Sequence, residues 1–208
     1  MIYDISPHIT PSLAVWPGDT PPSREVLLDM QRGDNLTLST LHTTVHAGAH
    51  ADGPNHYGAT APGIDERDLD YYLGVCQVVR VKAERGKRIG VDDVPQTIEA
   101  DRVLIASGTY PDPNHFNDDF SGLTPELIHS LHERNVKTIG IDTPSVDLFE
   151  SKDLPAHQMF LKLNMAILEG LVLNDVPAGK YELIALPLKL VGFDASPVRA
   201  ILRTLPYQ

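Results

Sequence analysis

Seventeen prolines and fifteen glycines are spread along the 208 residues without gathering into one linker. Proline removes a backbone donor and fixes φ, and glycine weakens a helix or strand interior. A chain punctuated this often builds short elements joined by tight turns. Between the breaks lie runs rich in Val, Ile and Leu: Val26–Met30, Leu36–Val45, Val75–Ala83, Arg102–Ala106, Lys137–Asp142, Ala166–Leu173 and Tyr181–Leu186. Bounded by turn residues, they read as strands. One helix stands out. Thr124 can cap it, Pro125 suits its first turn, and Leu127, Ile128 and Leu131 form an apolar stripe that runs on through Asn135. It leads directly into the strand Lys137–Asp142. The expected class is a mixed α/β fold with a substantial sheet, residues 1–208 forming one domain, or one large domain with a swapped arm.

Composition narrows the function. Hydrophobic residues make up 42% and charged residues 22%, which excludes disorder, collagen and coiled coil as the overall class. Lys and Arg total 17 against 28 Asp and Glu, a net charge of -11, so no basic surface is on offer for nucleic acid or an anionic membrane. A single cysteine, Cys76, excludes an intramolecular disulfide and any cysteine-rich zinc site. Met1–Pro7 has no basic stretch followed by an apolar one, and no apolar run approaches the ~20 residues of a membrane span. The expectation is a soluble, cytoplasmic protein.

Four of the nine histidines fall in one stretch from His42 to His56, together with Asp52. Imidazole and carboxylate are the ligands of choice for zinc and its first-row neighbours. Ala47, Gly48, Ala49, Ala51 and Gly53 lie between them, small enough for a bent backbone to approach an ion. In a straight strand His46 and His50 would stand ~13 Å apart at Cα, too far for two bonds of ~2.0–2.1 Å to one tetrahedral ion. Gly48, Gly53 and Pro54 oppose a long helix. The chain is therefore expected to bend near Gly48, so that a strand end and a turn converge on a metal. His42 precedes the bend and reads as a packing or hydrogen-bonding residue.

Further candidates lie downstream. Glu169 sits in a run apolar on both parities, so its carboxylate must be on a metal or in a buried salt bridge, and periodicity does not choose between them. His157 by itself reads as a histidine on the polar side of a short helix. Asp142 reads as an Asp that closes a strand and caps a turn. Trp16, on the turn Val15-Trp16-Pro17-Gly18-Asp19, is either a packing plug or a stacking face for an aromatic ligand.

The stretch His46-Ala-Gly-Ala-His50-Ala-Asp52-Gly-Pro54-Asn-His56 resembles the H-x-G-[TA]-H-x-D-x-P-x-H signature of the cyclase-type metal-dependent amidohydrolases. Within them the similarity is greatest to the bacterial kynurenine formamidases (arylformamidases). It is carried also by Val15–Pro21, Ile139–Asp147, Ala166–Gly170, Tyr181–Lys189 and Asp194–Ala200. The resemblance implies a mixed-sheet, swivelling β/β/α domain, and a homodimer, or a tetramer built from dimers, in which N-terminal segments often cross to the partner. It implies His46, His50 and Asp52 as ligands of a first zinc. His157 and Glu169 would complete a two-zinc site, with Asp52 and Glu169 at positions that can serve both ions and manganese or another divalent ion as the alternative metal. His56 would be the catalytic acid/base and Trp16 a substrate contact. Three segments depart from the family pattern: Gly53 replaces the usual alanine, and Thr109–Phe120 and Gln158–Asn164 are atypical.

The implied reaction is hydrolysis of N-formyl-L-kynurenine to formate and L-kynurenine in tryptophan breakdown. Zinc lowers the pKa of a bound water to about 7 and polarises a carbonyl, and a positioned histidine moves the proton. Two rivals share these residues. A hydrolase of isatin or another cyclic amide would differ only in the pocket. A non-catalytic metal- or ligand-binding module would have no use for His56.

Overall fold

The computed structural model describes residues 1–95 and 97–206. In chain order the strands are β1 (Ile2–Asp4), β2 (Ser23–Leu28), β3 (Leu38–His42), β4 (His50–Asp52), β5 (Leu73–Arg80), β6 (Arg88–Ile89), β7 (Arg102–Ala106), β8 (Gly122–Leu123), β9 (Thr138–Ile141), β10 (Ala166–Glu169), β11 (Gly179–Ile184), β12 (Ala195–Pro197) and β13 (Ile201–Thr204). The helices are α1 (Pro125–Glu133) and α2 (Pro155–Leu163). Nine strands make one curled mixed sheet in the order β1-β13-β11-β5-β7-β9-β10-β4-β12. The four middle strands β5, β7, β9 and β10 run parallel, and antiparallel strands extend both sides. The fold is the mixed α/β, swivelling β/β/α domain that the sequence resemblance implies.

The parallel strands are buried on both faces, as their continuous apolar runs require. One face carries Val103, Ile105, Ile139, Ile141 and Ile167 against α1 and α2. The other curls over Leu104, Leu168, Leu171, Leu183 and Leu202. The curl is tight at Gly140, where a Cβ would come within 2.5 Å of Leu104 Cδ2 and 2.8 Å of Leu171 Cδ1.

Helix α1 forms as its sequence predicts. Thr124 Oγ1 accepts from Leu127 N at 3.1 Å, Pro125 opens the helix, and Leu127, Ile128 and Leu131 are buried. Each of those side chains contributes roughly 1.5–3 kcal/mol, and loss of the cap would cost about 1 kcal/mol. The helix ends at Glu133, and Asn135 lies beyond it in the left-handed region at φ 64°. Arg102–Ala106 becomes a strand with the same ends and the other central runs become strands with shifted ends, while Ile2–Asp4, His50–Asp52, Ala195–Pro197 and Ile201–Thr204 join the sheet without a strand-like run in the sequence. Strands β2 and β3 form a separate two-stranded hairpin whose Val26, Leu27, Leu38 and Leu41 are exposed. No helix among the described residues is long and apolar enough to cross a membrane.

Candidate metal centre and substrate cavity

The chain bends where expected. Residues Val45 to Ala49 are turn and bend, Gly48 takes φ 62°, and β4 begins at His50. A second glycine makes the bend possible. Gly170 follows Glu169 at φ 64°, and a Cβ there would collide with Gly48 O. The two backbones touch, so the signature segment and the end of β10 deliver their side chains to one place. Register completes this: Glu169 lies opposite His50 in the antiparallel pair of β10 and β4. His50 and Asp52 project from one side of β4, while Ala51 between them packs in the inner core.

His157 arrives from α2. The helix starts at Leu154 in the left-handed region, φ 45° and ψ 52°, with no side-chain cap, and Pro155 follows at its first position. His157 is buried rather than on the polar side of its helix. Gln158–Asn164 continues α2: Gln158 Nε2 donates to Tyr57 O at 3.0 Å, Phe160 packs in the core, and Asn164 closes the helix at φ 51°.

These side chains converge. His46 Nδ1 lies 3.3 Å from Asp52 Oδ1, His50 Nε2 3.5 Å from Asp52 Oδ1 and 3.2 Å from Glu169 Oε2. His157 Nε2 lies 3.5 Å from Asp52 Oδ2 and 3.6 Å from Glu169 Oε1. Two ligands at ~2.0–2.2 Å on a tetrahedral ion stand roughly 3.4 Å apart, so these are the separations such an ion requires. Asp52 presents one oxygen to His46 and His50 and the other to His157. His50 Nε2 and both Asp52 oxygens are buried without a hydrogen-bond partner. Orphaned polar atoms of this kind need an explanation, and a divalent cation with nitrogen and oxygen ligands fits them all.

The outward nitrogens are held. His50 Nδ1 donates to Gly48 O at 2.9 Å and His157 Nδ1 to Asp147 Oδ2 at 2.8 Å, which leaves each Nε2 lone pair facing the cluster. Asp147 also accepts from Ala156 N and His157 N and pairs with Arg88 at 2.6 Å. Val146 N donates to Glu169 Oε1 at 2.7 Å. The carboxylates make the cluster favour positive charge. Burial opposes charge on His46, but Asp52 and Asp194 push its imidazole up to about 9. Burial likewise opposes charge on His157, but Asp147 and Asp52 push it up to about 10. Asp52, despite full burial, is held well below the usual carboxylate range by His157 and His46.

His56 stands on the open side. Its Nδ1 is 3.5 Å from Asp194 Oδ2, and its ring is 4.3 Å from that of His46 and 6.0 Å from that of His157. Asp194 Oδ2 also accepts from His46 Nε2 at 3.0 Å. The positioning contacts of Asp147 and Asp194 could not be read from the chain, since each depends on a tertiary pairing. Asp142 does close β9 and cap a turn, that of the neighbouring strand: it accepts from Ser107 N, Ser107 Oγ and Gly108 N. Burial raises its carboxyl and those bonds oppose the rise. His42 is exposed and bonds Glu25 at 3.1 Å, as a hydrogen-bonding residue outside the cluster.

The cluster lies at the carboxyl ends of the parallel strands, where open α/β sheets bind ligands. It floors a cavity of about 480 Å³, walled by Leu13, Trp16, Tyr110, Pro144, Leu154 and Val172 among others. Trp16 lies 5.1 Å from the Phe149 ring and meets Phe116 and Phe120 edge-on. It is both packed and, at 38% exposure, presented to the cavity. The atypical Thr109–Phe120 segment thus supplies Tyr110 and Pro111 to the wall and two of the rings that hold Trp16.

The fold is shared with solved structures. One, described as a "potential metal-dependent hydrolase with cyclase activity", is 26% identical with a TM-score of 0.84, over 97% of this chain and 96% of that one. A second, from Bacillus stearothermophilus and described as a "predicted metal-dependent hydrolase", is 27% identical with a TM-score of 0.80, over 97% of each chain. Isatin hydrolase A from Labrenzia aggregata shares the fold at 24% identity and a TM-score of 0.80, over 97% of this chain and 93% of that one. The family model described as "Putative cyclase" matches residues 3–148, which include the whole signature from His46 to His56. The chain belongs to the cyclase family.

Proposed function

We propose that the protein is a metal-dependent hydrolase of aryl amides, and within that class an arylformamidase that cleaves N-formyl-L-kynurenine to L-kynurenine and formate. The observation that carries the reading is the set of buried, unpartnered atoms, His50 Nε2 and both oxygens of Asp52, at the floor of a cavity with aromatic and apolar walls. His46, His50 and Asp52 would hold one zinc, and His157 and Glu169 a second, with Asp52 and Glu169 both placed to serve the two ions. A divalent ion there supplies an acidified water and a polarised carbonyl. The oxygen of a water adds to the formyl carbon as His56 takes the water's proton, and the C–N bond then breaks to leave formate. His56 gives a proton to the departing arylamine nitrogen. Trp16, fixed by Phe116, Phe120 and Phe149, offers its face to the aryl ring.

A second reading is hydrolysis of isatin or a related cyclic amide. Isatin hydrolases of the same fold favour it, among them one bound to the product analogue thioisatinate with a TM-score of 0.82. The exposed apolar hairpin of β2 and β3 supports a homodimer in which this arm packs on the partner subunit. The deciding experiment compares kcat/KM of the zinc-loaded protein on N-formyl-L-kynurenine, formanilide and isatin. The proposal expects the first to be the best substrate. A preference for isatin would install the second reading, and no turnover of any of them by metal-loaded protein would leave a binding module.

A further inference from the structure

We propose that Asp194 is a positioning residue that ties His56 to His46 and fixes the tautomer of His56. The inference rests on the reading of His56 as the acid/base, but its geometry stands apart from any substrate.

Asp194 is placed by the sheet. It precedes β12, whose Ala195 lies opposite Asp52 of β4, so Asp194 falls beside Gly53. Gly53 N donates to Asp194 O at 2.8 Å, and Ile64 N to Phe193 O at 3.0 Å. The crossing is close. A Cβ on Gly53 would come within 2.7 Å of Asn55 Oδ1, 2.9 Å of Ile64 N and 3.1 Å of Asp194 O. Gly53, where the family usually has alanine, thus passes the Asp194 backbone with little room for a side chain.

The side chain then serves two rings with one oxygen. Asp194 Oδ2 is 3.0 Å from His46 Nε2 and 3.5 Å from His56 Nδ1. His46 turns its other nitrogen, Nδ1, toward Asp52. An N–H at His46 Nε2 therefore donates outward to Asp194 and leaves Nδ1 as the inward lone pair. The same carboxylate draws the N–H of His56 to Nδ1 and leaves His56 Nε2 unprotonated in the neutral ring. A 3.5 Å contact is long for a hydrogen bond, and catalytic contacts of this kind commonly shorten in the substrate complex.

The test uses zinc-loaded protein. Nitrogen-15 NMR of the imidazoles reads the tautomer of His56 directly, with no substrate required. The expected result is Nδ1–H in wild type and a change to Nε2–H in Asp194→Ala. Asp194→Asn, the isosteric variant, guards against misfolding and should retain part of the Nδ1–H population. With N-formyl-L-kynurenine at saturating zinc, Asp194→Ala should lower kcat by about 10–100-fold with KM little changed. In a His56→Ala background the same substitution should cost less than about threefold, because the two residues act as a unit. Nε2–H for His56 in wild type, or an undiminished loss in the His56→Ala background, would overturn the proposal. If no aryl amide is turned over at all, the hydrolase reading fails, while the tautomer still decides the role of Asp194.

Discussion

The two walls of the metal centre are built differently. His50, His157 and Glu169 have side chains only 3–4% exposed, and each is fixed by a second contact, from Gly48 O, Asp147 and Val146 N. His46, His56 and Asp194 on the facing wall are 19%, 36% and 47% exposed, and they bond chiefly to one another. Asp52 lies between, fully buried, with Oδ1 toward His46 and His50 and Oδ2 toward His157. The closed wall is suited to holding an ion in fixed geometry. The open wall is suited to admitting a substrate and moving a proton, since a group that must reach a reacting atom cannot be sealed from it. Preorganised binding and access are divided between the sides rather than compromised at each residue.

The strongest way to break this division is to remove its shared member. In the proposed two-ion site Asp52→Ala takes a ligand from both ions, so metal content measured by mass spectrometry should collapse. Turnover should fall by more than the ~10²–10⁴ that a positioned acid/base contributes. Retention of both ions would mean that Asp52 is not the bridge. His56→Ala acts on the open wall alone. It should keep the full metal content and lower turnover by about two to four orders of magnitude. If metal is lost as well, His56 belongs with the ligands, and its approach to within 4.8 Å of Asp52 and His157 would then be a coordination contact.

How much of this was legible in the chain depends on the distance over which each interaction acts. The run Arg102–Ala106 becomes a strand with those very ends, since a strand buried on both faces is apolar throughout. The His46–His56 stretch announces a metal because its ligands are close in sequence and Gly48 supplies the bend. His157 and Glu169 needed the family resemblance. His157 lies on a helix whose start, at a left-handed Leu154, has none of the usual capping residues. Asp194 acts 148 residues from His46, through the pairing of β12 with β4, and nothing local to Ala195–Pro197 marks it as a strand. The aromatic setting of Trp16 is likewise tertiary, assembled from Phe116, Phe120 and Phe149.

Two smaller effects sharpen the contrast. In metal-free protein, carboxylates hold His46 protonated up to about 9 and His157 up to about 10. An ion must displace those protons, so binding at neutral pH releases acid. Apparent affinity should rise with pH toward those values, by up to about tenfold per pH unit for each proton displaced. Calorimetry in buffers of different ionisation enthalpy measures the release, and a pH-independent affinity between 6 and 8 would show that the ligands are already neutral. Trp16→Ala should cost of order 1 kcal/mol of aromatic contact, read as a several-fold rise in KM for N-formyl-L-kynurenine with little change for a formamide lacking the ring. Equal losses on both substrates would make Trp16 a packing residue only.

The central proposal is that two buried carboxylates, Asp52 and Glu169, each with one oxygen toward His50 and the other toward His157, hold two divalent ions between them. Anomalous diffraction at the zinc edge, from crystals saturated with zinc, tests it most directly. The account predicts two peaks, one among His46, His50 and Asp52 and the other among Asp52, His157 and Glu169. A fully loaded crystal with a single peak, or with none between these side chains, would contradict it.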